Sequence, residues 1–149
     1  MTQTTTDQEI IRNCISRCCL GIDLRDWKIF SKAFTNNVKA SFPEPVGSIE
    51  GVAALKSAVQ GMVGNFQTQH ALSTQLIEFT GDKTADATTY VTTVLFGVGK
   101  DKGKFVTTWG MYQDKLVKDS FDGQEDWKIA ERRVISQLPL AGDLSLLSA

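Results

Sequence analysis

His70 is the only histidine in a chain of 149 residues, and it lies in the run Gln67-Thr68-Gln69-His70-Ala71-Leu72, where a helical stretch gives way to a long alternating one. Its imidazole is the one side chain here whose ordinary pKa lies near neutrality, so acid–base chemistry at physiological pH would fall to it first. Taken alone, such a histidine is either a packing residue or a proton shuttle. The shuttle needs an orienting partner. Between Asp7 and Asp23 the apolar residues Ile11, Cys14, Ile15, Cys18, Cys19 and Ile22 recur at spacings of three and four, one face of an amphipathic helix. Asp23 follows Cys19 by four residues and Ile15 by eight, which sets its carboxylate on that apolar face. A carboxylate placed there requires a partner.

The elements that must bring the two together can be read from periodicity and turn signals. Asp26 fits as the N-cap of a second short helix with Trp27, Phe30 and Phe34 as its buried stripe and Thr35-Asn36-Asn37 as its breaker. Val38 to Phe42 reads as a short strand stopped by Pro43-Glu44-Pro45. Ser48 then opens a third helix with Val52, Leu55, Val59, Met62 and Val63 turned inward, ended by Gly64-Asn65. The second half changes period. Segments 69–80, 84–98, 104–118 and 127–138 are rich in Thr, Val, Ile and aromatic residues and are separated by Gly- and Asp-containing turns, which predicts an antiparallel meander. Helices first and sheet afterwards is an α+β pattern. A curved, mostly antiparallel sheet packed on three N-terminal helices has one natural hollow between its concave face and the helices, and His70 stands at the mouth of the first long strand.

Length predicts one domain over residues 1–149, with a core at 7–138 and a C-terminal tail at 139–149 whose Leu140, Leu144, Leu146 and Leu147 are available to cover the hollow or a neighbouring subunit. Sixteen basic residues against seventeen acidic ones, with no basic block, argue against a nucleic-acid or anionic-membrane surface. No apolar run approaches the roughly 20 residues that span a bilayer, and the N-terminus from Met1 to Asp7 is polar, so a cytoplasmic location is expected. Cys14, Cys18 and Cys19 share one short helical stretch, which suits small core residues rather than a disulfide framework or a zinc site. There is no Gly-rich phosphate loop and no histidine cluster. The expected enzyme therefore uses neither metal nor nucleotide, and its partner is a small molecule.

The element order, together with Asp23-Leu24-Arg25-Asp26-Trp27, Thr68-Gln69-His70, Gly110-Met111-Tyr112-Gln113-Asp114 and Trp127-Lys128-Ile129-Ala130-Glu131-Arg132, resembles the SnoaL-like branch of the nuclear transport factor 2-like superfamily over nearly the whole chain. Within that branch it is most similar to the scytalone dehydratases and to small dehydratases, cyclases and isomerases of polyketide and terpenoid pathways. The resemblance implies a cone-shaped barrel in which Asp23 orients His70, and His70 takes a substrate proton and returns it to a leaving oxygen. It also marks departures. Phe42 stands where the family's water-holding tyrosine is expected, and Leu95 stands near its second pocket histidine. Tyr112 replaces an asparagine of the fourth strand, with a phenol able to polarise a carbonyl or hydroxyl provided the strand register turns it inward. The implied substrate is a hydrophobic polyketide- or terpenoid-like compound rather than scytalone, and the implied reaction is dehydration, isomerisation or cyclisation. Asp114 and Arg132 read as a structural contact between strands, although epoxide hydrolases of the same superfamily use such a pair with a second carboxylate. A non-catalytic module binding a hydrophobic ligand or a protein is the alternative for the same fold. The sheet's outer face, rich in Thr, Val and aromatic residues, suggests a homodimer.

Overall fold

The computed structural model describes residues 3–148; Met1 and Thr2, at the head of the expected polar N-terminal run, and Ala149, at the end of the expected tail, lie outside them. Helix α1 (Asp7–Asp23) starts with a reciprocal cap: Thr6 Oγ1 accepts from the Glu9 backbone N–H at 3.2 Å while Glu9 Oε2 accepts from the Thr6 N–H at 2.8 Å. Its apolar face is buried as the spacing predicts, with Ile11, Cys14, Ile15, Cys18, Cys19 and Ile22 all inside. Helix α2 (Trp27–Lys32) is capped by Asp26, whose Oδ1 accepts from the Ile29 N–H at 3.0 Å. The two helices touch at Gly21, where a Cβ would stand 2.5 Å from the Phe30 backbone nitrogen. Only glycine permits that approach.

Two local expectations give way. Thr35-Asn36-Asn37 does not break the chain but belongs to strand β1 (Phe34–Ser41), which begins four residues before Val38. Burial of Phe34, Val38 and Ala40 on the inner face outweighs the weak strand preference of the asparagines, and the register against the neighbouring strand shifts between Phe34 and Lys39. Ser48 is not a helix cap either. It opens the short strand β2 (Ser48–Glu50), paired antiparallel to β1, and helix α3 (Val52–Val63) starts from Gly51, whose φ of 88° makes the turn without any side-chain cap. Leu55, Val59 and Val63 of α3 are buried, whereas Met62 is 41% exposed.

The long strands are β3 (Gln67–Gly81), β4 (Thr84–Phe96), β5 (Phe105–Phe121) and β6 (Gln124–Gly142). With β1 and β2 they form one six-stranded sheet in the order β2-β1-β6-β5-β4-β3, antiparallel except for the β1–β6 pair, with β2 and β3 left as open edges. Register breaks at Leu72/Gln75 and Thr107/Trp109 bend the strands, and the resulting concave face is packed on the helices. The two-residue period is plain in β5, where Val106, Tyr112, Asp114 and Leu116 are buried. Trp127 and Ile129 of β6 and Ala85 and Ala87 of β4 complete the core with α1, α2 and α3. Strand β6 runs past Leu138, so Pro139 to Gly142 of the expected tail continue the sheet. Beyond it, Asp143 donates its N–H to the Phe105 carbonyl at 2.8 Å, and Leu144–Leu147 form one 3-10 turn.

Candidate active site

Helix α1 ends in a paired backbone closure: the Arg25 N–H donates to the Ile22 carbonyl at 3.1 Å and the Asp26 N–H to the Gly21 carbonyl at 2.8 Å. The residue in the left-handed conformation this closure requires is Arg25, with φ 56°, a position that usually takes glycine and costs other residues about 1 kcal/mol. Asp23, in the last turn, projects toward the start of β3. There its Oδ1 lies 2.6 Å from His70 Nδ1, its Oδ2 accepts the His70 backbone N–H at 2.8 Å, and Oδ1 also accepts the Thr68 hydroxyl at 2.9 Å. Thr68 and His70 are two apart on one strand and so share a face. The side chains of His70 and Asp23 are 9% and 14% exposed. Burial is the largest single influence on the Asp23 carboxyl and would raise its pKa. The hydrogen bonds from the His70 ring and backbone, the attraction of the imidazolium and the Thr68 hydroxyl together outweigh it, holding the carboxyl below its ordinary value.

His70 opens onto a cavity of about 260 Å3 between the concave sheet and the helices. Phe30, Phe34, Leu55, Val59 and Val91 make most of its wall apolar. Asp23 is not part of that wall and sits behind the imidazole with Leu24 and Thr68. Tyr112, Phe42 and Leu95 all line the same cavity. Neither Phe42 nor Leu95 brings a hydrogen-bonding side chain. Burial pushes the Tyr112 phenol well above its ordinary pKa, so it stays protonated and can only act as a neutral donor or acceptor. Thr93, Thr108 and Ser136 add hydroxyl groups that sequence reasoning missed. Strand parity could have found two of them, since Thr93 alternates in step with Leu95 and Thr108 with Tyr112. Among the described residues no part of 139–148 lines this cavity.

A second carboxylate–base pair reaches the cavity wall through Arg132. Asp114 and Arg132 meet in a bidentate bond, Nε to Oδ1 at 2.7 Å and Nη2 to Oδ2 at 2.8 Å, and the remaining Arg132 Nη1 donates to Cys18 Sγ at 3.1 Å. The guanidinium also lies 3.9 Å from the centre of the Tyr112 ring. Burial works against this charge, but the Asp114 carboxylate overrides it and the Arg132 pKa is raised. The cysteines are core residues: all three are buried and free, and burial pushes the Cys14 thiol up to about 12. Among the described residues no three of His, Cys, Asp and Glu gather to hold a metal ion, and no helix is long and apolar enough to cross a membrane. A larger trough of about 590 Å3 crosses the outer face, lined by Lys39, Glu50, Lys115 and Glu131 among others. It is polar and open to water and holds no oriented base, so the apolar cavity is the better reaction site.

The model of the SnoaL-like domain family matches residues 3–133. Among solved structures, a protein of Novosphingobium aromaticivorans DSM 12444 assigned as a scytalone dehydratase superposes with a TM-score of 0.75 at 21% identity, covering 91% of this chain and 87% of that one. The hexachlorocyclohexane dehydrochlorinase LinA-type3 of Novosphingobium barchaimii LL02 gives a TM-score of 0.76 at 14% identity over 91% and 89%. ActVI-ORFA of Streptomyces coelicolor gives 0.72 at 16% identity over 87% and 96%. No match is found among curated proteins. At these identities the structural neighbours speak for the fold alone, whereas the family match spans most of the chain: it belongs to the SnoaL-like domain family, within the nuclear transport factor 2-like superfamily.

Proposed function

We propose that this protein is a cofactor-independent acid–base enzyme that dehydrates, isomerises or cyclises a hydrophobic polyketide- or terpenoid-like small molecule. The observation that carries the reading is the 2.6 Å contact between Asp23 Oδ1 and His70 Nδ1, with the imidazole on the cavity wall and the carboxylate behind it. A carboxylate is only an acceptor, so Nδ1 carries the proton and Nε2 keeps a lone pair for substrate. His70 takes a proton from a carbon next to a carbonyl through Nε2, Asp23 stabilises the resulting imidazolium, and Tyr112 donates to the oxygen on which charge develops. The same nitrogen then returns the proton to a leaving oxygen or to another carbon. Two structural neighbours support this class by name, one for loss of water and one for loss of hydrogen chloride. A cavity of about 260 Å3 lies just below the usual range for ligand sites, about 300–1,000 Å3, and favours a compact ring system over an extended chain.

Incubating the protein in D2O with a panel of hydrophobic cyclic ketones and cyclic β-hydroxyketones tests this. Deuterium uptake beside the carbonyl, or loss of water, is expected with wild type and is expected to vanish in His70→Ala. Equal uptake by both proteins would remove the proposed base and leave the ligand-binding module as the reading. The outer face also exposes Tyr90, Phe96, Phe105 and Trp109, and a second copy covering them is proposed. Sedimentation equilibrium at micromolar concentration should give twice the chain mass, and a monomer there would refute the dimer.

A further inference from the structure

The histidine is held by more than the carboxylate. Arg25, in the left-handed turn after α1, points its guanidinium back at the same site: Nη1 donates to the Ile22 carbonyl at 2.6 Å and to Thr68 Oγ1 at 3.1 Å, and Nη2 donates to the Phe66 carbonyl. Thr68, 8% exposed, donates in turn to Asp23 Oδ1. The direction of every proton in this chain of contacts follows from its two ends. A guanidinium can only donate and a carboxylate can only accept, so the hydroxyl between them has its lone pair taken by Arg25 and its proton committed to Asp23. Without Arg25 the hydroxyl is free to rotate and to accept from another donor. Asp23 Oδ1 would then have only the imidazole to hold it. An arginine also occupies a backbone position that glycine fills with less strain, and its three contacts tie the end of α1 to the start of β3, the two segments that carry Asp23 and His70.

We infer that Arg25 is a positioning residue which, through Thr68, fixes the Asp23 carboxylate so that the His70 proton stays on Nδ1 and Nε2 faces the cavity as the free base. This rests on the proposed acid–base role for its meaning, but its test does not require turnover. The chain has one histidine, so its imidazole resonances need no assignment. In nitrogen-15-labelled wild-type protein at a pH where the ring is neutral, one slowly exchanging Nδ1–H resonance is expected. Thr68→Val should speed its exchange with water about tenfold, the loss of one hydrogen bond, and Thr68→Ser should restore it. Arg25→Gly should act like Thr68→Val while relieving the left-handed backbone, so its effect cannot be laid to strain. Thermal melts of each variant check that the fold persists. Unchanged exchange in either Thr68→Val or Arg25→Gly would overturn the inference, as would a failure of Thr68→Ser to recover. Persistence of ketone deuteration in His70→Ala would instead overturn the catalytic reading and leave the resonance results standing.

Discussion

Two bases on the cavity wall carry the same pairing, each gripped by a carboxylate, yet only one of them is equipped to move a proton. At Arg132 every nitrogen of the guanidinium is engaged, Nε and Nη2 by Asp114 and Nη1 by Cys18, and the Tyr112 ring covers one plane. The group is permanently charged, and its pKa is displaced further upward. At His70, Asp23 engages one ring nitrogen, while the other has no hydrogen-bond partner among the described residues, on a ring that lines the cavity. A transferable proton requires a base that titrates and a nitrogen left free. The Asp114–Arg132 pair has neither, and it ties β5 to β6 and to α1 instead. The same chemistry serves as a rivet in one place and, in the proposed reading, as a shuttle in the other, and the difference is the number of contacts each base makes.

This contrast can be broken by exchanging what each pair loses on mutation. If the ring is the proposed catalytic base, His70→Ala should lower kcat/KM by about 100- to 10,000-fold with little change in Tm. A large fall in Tm would make it a rivet too. Arg132→Met should do the reverse and cost about 3–5 kcal/mol in denaturant unfolding, since Asp114 is left charged and buried; adding Asp114→Leu should recover most of that loss. The Asp23 contribution should depend on pH. Its carboxyl is held below its ordinary value in the folded protein, so its stabilisation is complete above the unfolded-state pKa, about 4. It is lost as pH falls through the lower folded-state value. The stability gap between wild type and Asp23→Asn, measured by urea unfolding down to about pH 2.5, should therefore shrink as pH falls below about 4. Thr35 is a third case, a buried hydroxyl with no hydrogen-bond partner among the described residues. Thr35→Val should change stability by about 1 kcal/mol or less, in the favourable direction, on the same urea curves.

Half of the proposed shuttle could be read from the sequence because its signals are periodic. Asp23 falls on the apolar face of α1 by simple counting, and a carboxylate there demands a partner. His70, Leu95 and Tyr112 share the cavity wall because they fall on the inward parity of their strands. The supporting shell was not legible. Arg25 earns its place through a left-handed φ that no sequence signal announces, since glycine or asparagine is the usual residue there. The reach of Thr68 to Asp23 spans 45 residues and exists only once α1 and β3 are packed. The errors at Thr35-Asn36-Asn37 and Ser48 have a common physical origin. Local preference pointed to a turn and a helix cap, but pairing with β6 at Phe34 and again from Lys39 carries the strand across 35–37, and pairing with β1 at Ser41 makes Ser48 part of a strand.

Gly21 has a consequence that reaches beyond the packing of two helices. Phe30 and Phe34 furnish one wall of the cavity, and Phe30 stands where it does because α1 presents no side chain at the crossing. A methyl group at residue 21, on the far side of that wall from any substrate, would lever α2 outward and carry the aromatic wall with it. The interior dimensions of the chamber are thus set from outside it, and a lineage could resize the room for a new molecule without touching a single residue that meets one.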